Sequence, residues 1–174
     1  MMDSTTLPPI EGARTAQPLD AMRISWWVWR GRRYAARATH GWTRAIRTAA
    51  VGISCAAWPL ATLRRATSIR FGRTRYYFSH DDTAVVAVRS TRDGWLLTDY
   101  CSAHPGQGEG WWLRQWVLPV VYQAADRAGI TVRLTRTPGR IAESCTAETP
   151  ELRPSGSLRP GRVALARSPH VASA

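Results

Sequence analysis

The sequence predicts an α+β domain with a mixed, mostly antiparallel sheet, flanked by helices and preceded by a basic helical extension. Three observations lead to this fold class. Short β-rich runs separated by turn residues fill the region from about residue 68 to residue 100. A strand, a helix and a second strand follow as far as residue 134, and a long arginine-rich run precedes them all. Hairpin strands followed by a strand–helix–strand unit are typical of α+β or mixed-sheet domains.

Four segments are expected along the 174 residues, and a hydrophobic content of 44% can support one packed core. Residues 1–20 contain turn residues without periodicity, so we expect an irregular tail there. Residues 21–66 form an arginine- and tryptophan-rich helical extension, and residues 67–145 form the core domain. Residues 146–174 are turn-rich, and a final edge strand is expected at 162–167.

The positive charge is concentrated in one region. All 24 cationic residues are arginine, and asparagine is also absent, which indicates a GC-rich coding bias behind part of the excess. No acidic residue lies between Asp20 and Asp81, while 12 arginines do, a number equal to the whole net charge of +12. The rest of the chain is therefore neutral.

The helical pattern from residue 21 to about residue 48 places six arginines on one stripe. They are Arg23, Arg30, Arg33, Arg37, Arg44 and Arg47. Arginines interleaved with aromatic residues can bind nucleic acid or an anionic membrane surface. A solvated basic helix whose tryptophans pack on the sheet is the alternative, and composition does not choose among the three.

An uncharged run from Ala49 to Leu63 is 15 residues long and contains Pro59. Spanning a bilayer takes about 20 apolar residues, so a buried or interfacial helix is expected instead.

The cysteines, Cys55, Cys101 and Cys145, are few and widely spaced. This pattern suits neither a disulfide framework nor a metal cluster, and it predicts a protein of the reducing cytoplasm. A cytoplasmic protein attached peripherally to the membrane is the second expected location.

The regular elements of the core follow from turn chemistry. Strands are predicted at 68–71, 75–78, 83–89, 94–100 and 130–134, with helices at 111–128 and 141–145. Asp93-Gly94 between two apolar runs indicates a hairpin. Gly129 marks the end of the long helix.

A glycine-rich turn connects the strand at 94–100 with that helix. Gly106, Gly108 and Gly110 alternate just before the helix begins. Such a turn offers backbone N–H groups and a positive helix end to an anion, and phosphate is the expected ligand. Gln107 can donate to a phosphate oxygen, and Arg114 can add a cation one turn later. An ordinary strand-to-helix connection without a ligand is the alternative.

The segment from Thr83 to Leu134 resembles the GNAT superfamily of N-acetyltransferases. Gln107-Gly108-Glu109-Gly110 matches the first four positions of the family's Q/R-x-x-G-x-G/A motif, while Trp112 stands where the family prefers Gly or Ala. The resemblance implies a GNAT-like fold with acetyl-CoA as cofactor, its pyrophosphate at the glycine turn. It also implies that Cys101, Ser102 and Ala103 pair with the pantetheine arm through their backbone. Transfer of the acetyl group to an unidentified amine follows from the same resemblance.

The catalytic residues are not predicted. The family often uses a tyrosine as general acid on a later helix, but no tyrosine follows Tyr122; Ser144 and Cys145 lie in that region. Asp99, His104 and Glu143 are candidate bases by residue type, and Cys101 is expected to be a small buried residue and not a nucleophile. The alternative to an acetyltransferase is a non-enzymatic basic adaptor that binds nucleic acid or anionic membrane through residues 21–75.

Overall fold

A computed structural model describes residues 7–37, 42–136, 149, 151–155 and 163–170. The helices are α1 (Asp20–Arg37), α2 (Trp42–Ala56), α3 (Trp58–Arg70) and α4 (Glu109–Ala128). The strands are β1 (Thr74–Phe78), β2 (Ala84–Thr91), β3 (Gly94–Ser102), β4 (Val132–Arg136), β5 (Arg153–Pro154) and β6 (Val163–Arg167). The expected short helix at 141–145, with Glu143, Ser144 and Cys145, lies outside the described residues.

The six strands form one mixed sheet in the order β1-β2-β3-β4-β6-β5. β3 and β4 are parallel, with Trp95, Leu96 and Leu97 paired to Val132, Arg133 and Leu134. β6 is antiparallel to both β4 and β5. The expected α+β fold class, with a mixed sheet flanked by helices, is confirmed. The edge position of the last strand was wrong, because the two-residue β5 lies outside β6.

Two compact units make up the chain. One contains Ile10–Ala87 and Asp99–Trp116, and the other contains Met1–Pro9, Val88–Thr98 and Val117–Ala174. We call them the helical unit and the carboxy-terminal unit.

The core of the helical unit joins α1 to the sheet. Ile24 and Trp27 of α1 pack with the buried side chains of Tyr76, Phe78, Val85, Ala87 and Cys101. Trp27 meets Phe78 edge-on, with 6.0 Å between the ring centroids. The start of the expected helical extension is thus part of the same core as β1 and β2.

The segment before α1 runs beside β1. Ala16 donates its N–H to the Tyr76 carbonyl, and Phe78 donates its N–H to the Arg14 carbonyl, both over 2.9 Å. The Arg14 guanidinium pairs with Asp20 and with Asp82 and lies 4.1 Å from the centre of the Phe78 ring. Although this part of the predicted tail has no helix, it is therefore anchored to the sheet.

Two local predictions in the helical unit were wrong. Residues 68–71 are not a strand: Ser68–Arg70 complete α3, and the Phe71 N–H donates to the Thr67 carbonyl as its C-cap. The six-arginine stripe does not lie on one helix, because Arg23, Arg30, Arg33 and Arg37 are on α1 while Arg44 and Arg47 are on α2. α1 packs against both α2 and α3.

Gly94 and Gly129 of the carboxy-terminal unit have positive φ, a backbone conformation that other residues disfavour. Gly94 has φ +121°, and a Cβ there would lie 2.2 Å from the Thr131 carbonyl oxygen. That oxygen accepts the Trp95 N–H at the start of the β3–β4 pairing. Gly129, with φ +67°, ends α4. β4 then begins at Val132, two residues later than predicted.

An ion-pair cluster joins α4 to β6 in the same unit. Arg167 is buried and binds both carboxylate oxygens of Asp126, at 2.7 and 2.8 Å. It also pairs with Glu151.

Among the helices that the structure describes, none is long and apolar enough to cross a membrane.

Candidate functional site

The glycine turn lies wholly within the helical unit and leads directly into α4. Gly106 and Gly108 have φ values of +95° and +82°, a region that side chains disfavour. The N–H groups of Trp111 and Trp112 donate to the Gly108 carbonyl over 2.8 and 3.4 Å. Within the described residues, the N–H groups of Glu109 and Gly110 have no acceptor. They begin a 20-residue helix, so its positive end adds to their attraction for an anion.

The first turn of α4 is held by an aromatic ring from β3. Tyr100 donates its hydroxyl to the Gly110 carbonyl over 3.2 Å. A Cβ on Gly110 would lie 3.4 Å from the same ring. The Arg114 guanidinium lies over the Tyr100 ring, 5.3 Å from its centroid. The Arg114 cation therefore lies against an aromatic ring beside the first turns of the helix.

The acidic residue of the turn is paired. Glu109 Oε1 and His104 Nδ1 are 2.8 Å apart, with His104 half-exposed and Glu109 largely buried. The second carboxylate oxygen of Glu109 is buried and meets no hydrogen-bond partner among the described residues. His104 thus holds Glu109 and is engaged through one of its two ring nitrogens.

The Tyr34 side chain of α1 lies next to Gly106 of the glycine turn. Its hydroxyl lies where a side chain at Gly106 would begin, 2.5 Å from an ideal Cβ. Gly108, by contrast, has open space around it, and Gln107 is exposed. Trp112 is 70% exposed and meets Trp111 edge-on, so it packs against a neighbouring indole. A tryptophan at this motif position therefore fits by pointing outward.

The three residues predicted to bind through their backbone differ in what they offer. Cys101 is buried in the core cluster, and burial raises the pKa of its thiol. This placement agrees with a packing role for the side chain. Ser102 is half-buried. The Ala103 N–H already donates to the Thr83 carbonyl over 2.7 Å.

A polar network lies at a distorted point of β3. Asp99 has φ +45°, unusual for a residue within a strand. Its Oδ2 accepts the Tyr76 hydroxyl over 2.6 Å and the Arg65 Nε over 3.2 Å. Arg65 in turn donates to the buried Ser25 hydroxyl over 3.0 Å. Four elements meet here, so the network fixes the backbone of β3 just before Cys101.

The electrostatics of this network keep Tyr76 and Arg65 protonated. Burial, reinforced by the Asp99 carboxylate, raises the pKa of Tyr76, so its hydroxyl stays protonated and donates. Burial alone would lower the pKa of Arg65, but Asp99, with a further contribution from Tyr76, outweighs the effect of burial and the pKa is raised. Sequence reasoning missed Arg65, Tyr76 and Ser25, because nothing local distinguishes Arg65 from the other arginines of the basic region.

The proposed phosphate-binding arginines of α1 are not equivalent. Arg23 pairs with Asp82 and lies over the Trp27 ring, which makes it a packing residue. Arg30, Arg33 and Arg37 are exposed, and Arg33 lies 5.4 Å from the Trp29 ring centroid. The side chains of Arg44 and Arg47 lie outside what the structure describes.

Among the described residues no group of three His, Cys, Asp or Glu side chains could hold a metal ion.

Comparison with known proteins identifies the architecture. No family model matches the chain, and no curated protein matches it either. The PaiA N-acetyltransferase of Thermoplasma acidophilum, solved in complex with coenzyme A, matches with a TM-score of 0.61 and 7% identity. The match covers 90% of this chain and 97% of that one.

Two further solved structures agree. A GNAT-family acetyltransferase of Listeria monocytogenes gives a TM-score of 0.56 at 11% identity, covering 94% of this chain and 99% of its own. An acetyltransferase of Thermus thermophilus gives 0.53 at 12% identity, covering 90% and 95%. The chain has a divergent GNAT fold. The GNAT likeness extends well beyond residues 83–134, which carried the resemblance in the sequence.

Proposed function

We propose that this GNAT-fold chain binds acetyl-CoA at its glycine turn and transfers the acetyl group to an amine. The observation that carries the proposal is the pair of N–H groups of Glu109 and Gly110 at the start of α4, which have no acceptor among the residues that the structure describes. Coenzyme A is present in the structure of the Thermoplasma relative, which supports a cofactor of this class here.

The residues of the turn fit a pyrophosphate. Positive φ at Gly106 and Gly108 lets the backbone turn without side chains, and the N–H groups of 109 and 110 would donate to the pyrophosphate. Gln107 adds an uncharged donor and Arg114 a cation. The Glu109 carboxylate would repel a phosphate, and an N–H donated by His104 Nδ1, 2.8 Å from Oε1, would reduce that repulsion.

The end of β3 would hold the pantetheine arm through main-chain groups. Cys101 contributes backbone only, because its side chain is in the core. Ser102 is the stronger candidate to hydrogen-bond the arm, since the Ala103 N–H is committed to Thr83. When bound, acetyl-CoA would supply an acetyl group activated as a thioester.

We assign no catalytic side chain. The Asp99 carboxylate already accepts from Tyr76 and Arg65, so we propose that it positions β3 and does not deprotonate the acceptor. A neutral amine is needed for attack on the thioester. The acceptor is not identified.

Titration with acetyl-CoA, by calorimetry and by thermal shift, tests the proposal. We expect binding that raises the melting temperature, and we expect Gly110→Glu to abolish it by placing a carboxylate at the helix end. Gly31→Glu is the matched control, because Gly31 is helical with nothing within 4 Å of its ideal Cβ. Absence of binding up to about 1 mM, the upper end of ordinary KM values, would contradict the proposal. Release of coenzyme A in the presence of candidate amines then tests transfer.

A further inference from the structure

Among the α2 residues whose side chains the structure describes, one exposed face of the helix is apolar. Ile46, Ala49, Ala50, Ile53 and Ala56 are all exposed, and their spacing of 3, 1, 3 and 3 residues places them on one face of the helix. Ile53 is 72% exposed. Contiguous apolar patches on a protein surface mark interaction sites, so this face of α2 is a candidate docking surface.

The outward side of α3 mixes apolar and cationic residues. Leu60, Leu63, Arg64, Thr67 and Arg70 are exposed at helical spacing, and the exposed Phe71 follows directly. No residue of α3 is buried. Leu60 and Phe71 are 70% and 73% exposed. We call the outward sides of α2 and α3, from Ile46 to Phe71, the α2–α3 face.

Charge identifies what this face can bind. The chain has no charged residue between Arg47 and Arg64, and no acidic residue between Asp20 and Asp81. The apolar centre of the face is thus followed by the exposed Arg64, Arg70 and Arg73. Arg65 is excluded from the face, because it points inward to Asp99.

We propose that the α2–α3 face docks on the surface of an anionic lipid bilayer, with α2 and α3 lying in the plane of the headgroups. Aliphatic side chains and Phe71 would enter the acyl boundary while arginine heads reach lipid phosphates. None of the described helices can span the bilayer, so the attachment is peripheral.

The same face suits other partners less well. In a symmetric dimer both copies would bring arginines to the contact without any acid to pair with them. Nucleic acid would match the charge but leave the isoleucines and leucines without apolar surface, since phosphates and sugars are polar.

Vesicle flotation of the full chain tests the proposal. We expect binding to vesicles of equimolar phosphatidylcholine and phosphatidylserine, weak binding to pure phosphatidylcholine, and a steep loss with added salt. Leu63→Gln should weaken binding about tenfold by removing apolar contact. Leu19 lies outside the face and its side chain is 89% exposed, so Leu19→Gln is the control and should leave binding unchanged. Arg64→Gln should weaken it about fivefold, and Arg92→Gln, an exposed arginine of the β2–β3 turn, is its control.

Each other outcome overturns the proposal. Equal binding to both vesicle types, or no binding to either, would remove the anionic bilayer as partner. Retention on duplex DNA without vesicle binding would indicate nucleic acid, and concentration-dependent dimers dissociated by Leu63→Gln would indicate a second copy. Circular dichroism melting confirms that the variants fold. Acetyl-CoA binding is measured separately, so the two proposals fail independently.

Discussion

The Tyr76 hydroxyl and the Arg65 Nε donate to the same oxygen of Asp99, over 2.6 and 3.2 Å. This oxygen belongs to a strand residue with φ +45°, so the network holds a backbone conformation that a strand does not adopt by itself. The buried Ser25 hydroxyl completes the network through Arg65.

Substitutions at Asp99 should separate charge from conformation. Asp99→Ala leaves the largely buried Arg65 without its carboxylate, and we expect a loss of about 3 kcal/mol in the free energy of unfolding. Asp99→Asn should cost less, because asparagine tolerates positive φ and still accepts the Tyr76 hydroxyl. Tyr76→Phe should cost about 2 kcal/mol, the value of a hydrogen bond to a charged group. Urea unfolding measures all three, and equal losses for Ala and Asn would show that only the lost charge matters and that neither the Tyr76 hydrogen bond nor the tolerance of positive φ contributes.

Two described glycines of the carboxy-terminal unit have positive φ and should respond differently to substitution by alanine. Gly94→Ala places a Cβ 2.2 Å from the Thr131 carbonyl oxygen, which belongs to the backbone and cannot move aside. We expect a loss above about 3 kcal/mol, made up of strain and of a disturbed Trp95 hydrogen bond. Gly129→Ala, with φ +67° and open space, should cost only about 1 kcal/mol. Thermal melts that rank Gly129→Ala as equally damaging would contradict this account.

Local signals in the sequence predicted much of the fold. The Asp93-Gly94 hairpin, the Gly129 helix end and the glycine turn were found because glycine at each position answers a local backbone requirement. The segment 68–71 was mistaken for a strand because a short β-rich run does not distinguish a strand from the last turn of a helix. β6 is not an edge strand because the two-residue β5 pairs with it on the side away from β4. No local sequence pattern indicates so short a strand.

The candidate site was predictable only where it is local. Residues 107–110 follow one another in sequence, so a motif could indicate them. The pairing of Arg65 with Asp99 spans 34 residues and is set by the packing of α3 against the sheet. In a chain whose cations are all arginine, residue type alone could not show that Arg65 is turned inward.

The ion pair between Asp126 and Arg167 should contribute to stability in a pH-dependent way. Hydrogen bonds from Arg167 lower the pKa of Asp126 below its ordinary value of 3.8. The contribution is therefore fully present above pH 3.8 and is lost as the pH falls through the lower pKa of the folded protein. Asp126→Asn should lower the free energy of unfolding by about 2 kcal/mol at neutral pH and flatten its dependence on acid pH.

Asp93 provides a matched control for that prediction. Its pair with Arg133 spans 3.2 Å, and its own side chain is 67% exposed. Exposed pairs contribute less than about 1 kcal/mol, so Asp93→Asn should leave both the stability and its acid dependence nearly unchanged. Urea unfolding across the acid range compares the two variants, and equal effects would refute the assignment to Asp126.

Cys101 should be chemically inert in the folded protein. Burial raises the pKa of its thiol, and the Asp99 carboxylate nearby raises it further. Because only the thiolate reacts, iodoacetamide at mildly alkaline pH should leave Cys101 unmodified until the protein unfolds. Peptide-resolved mass spectrometry measures its labelling separately from that of the other cysteines, and a urea-denatured sample provides the control for reactivity. Labelling at the denatured rate in the native protein would mean that the thiol is accessible and that its packing role in the core cluster is wrong.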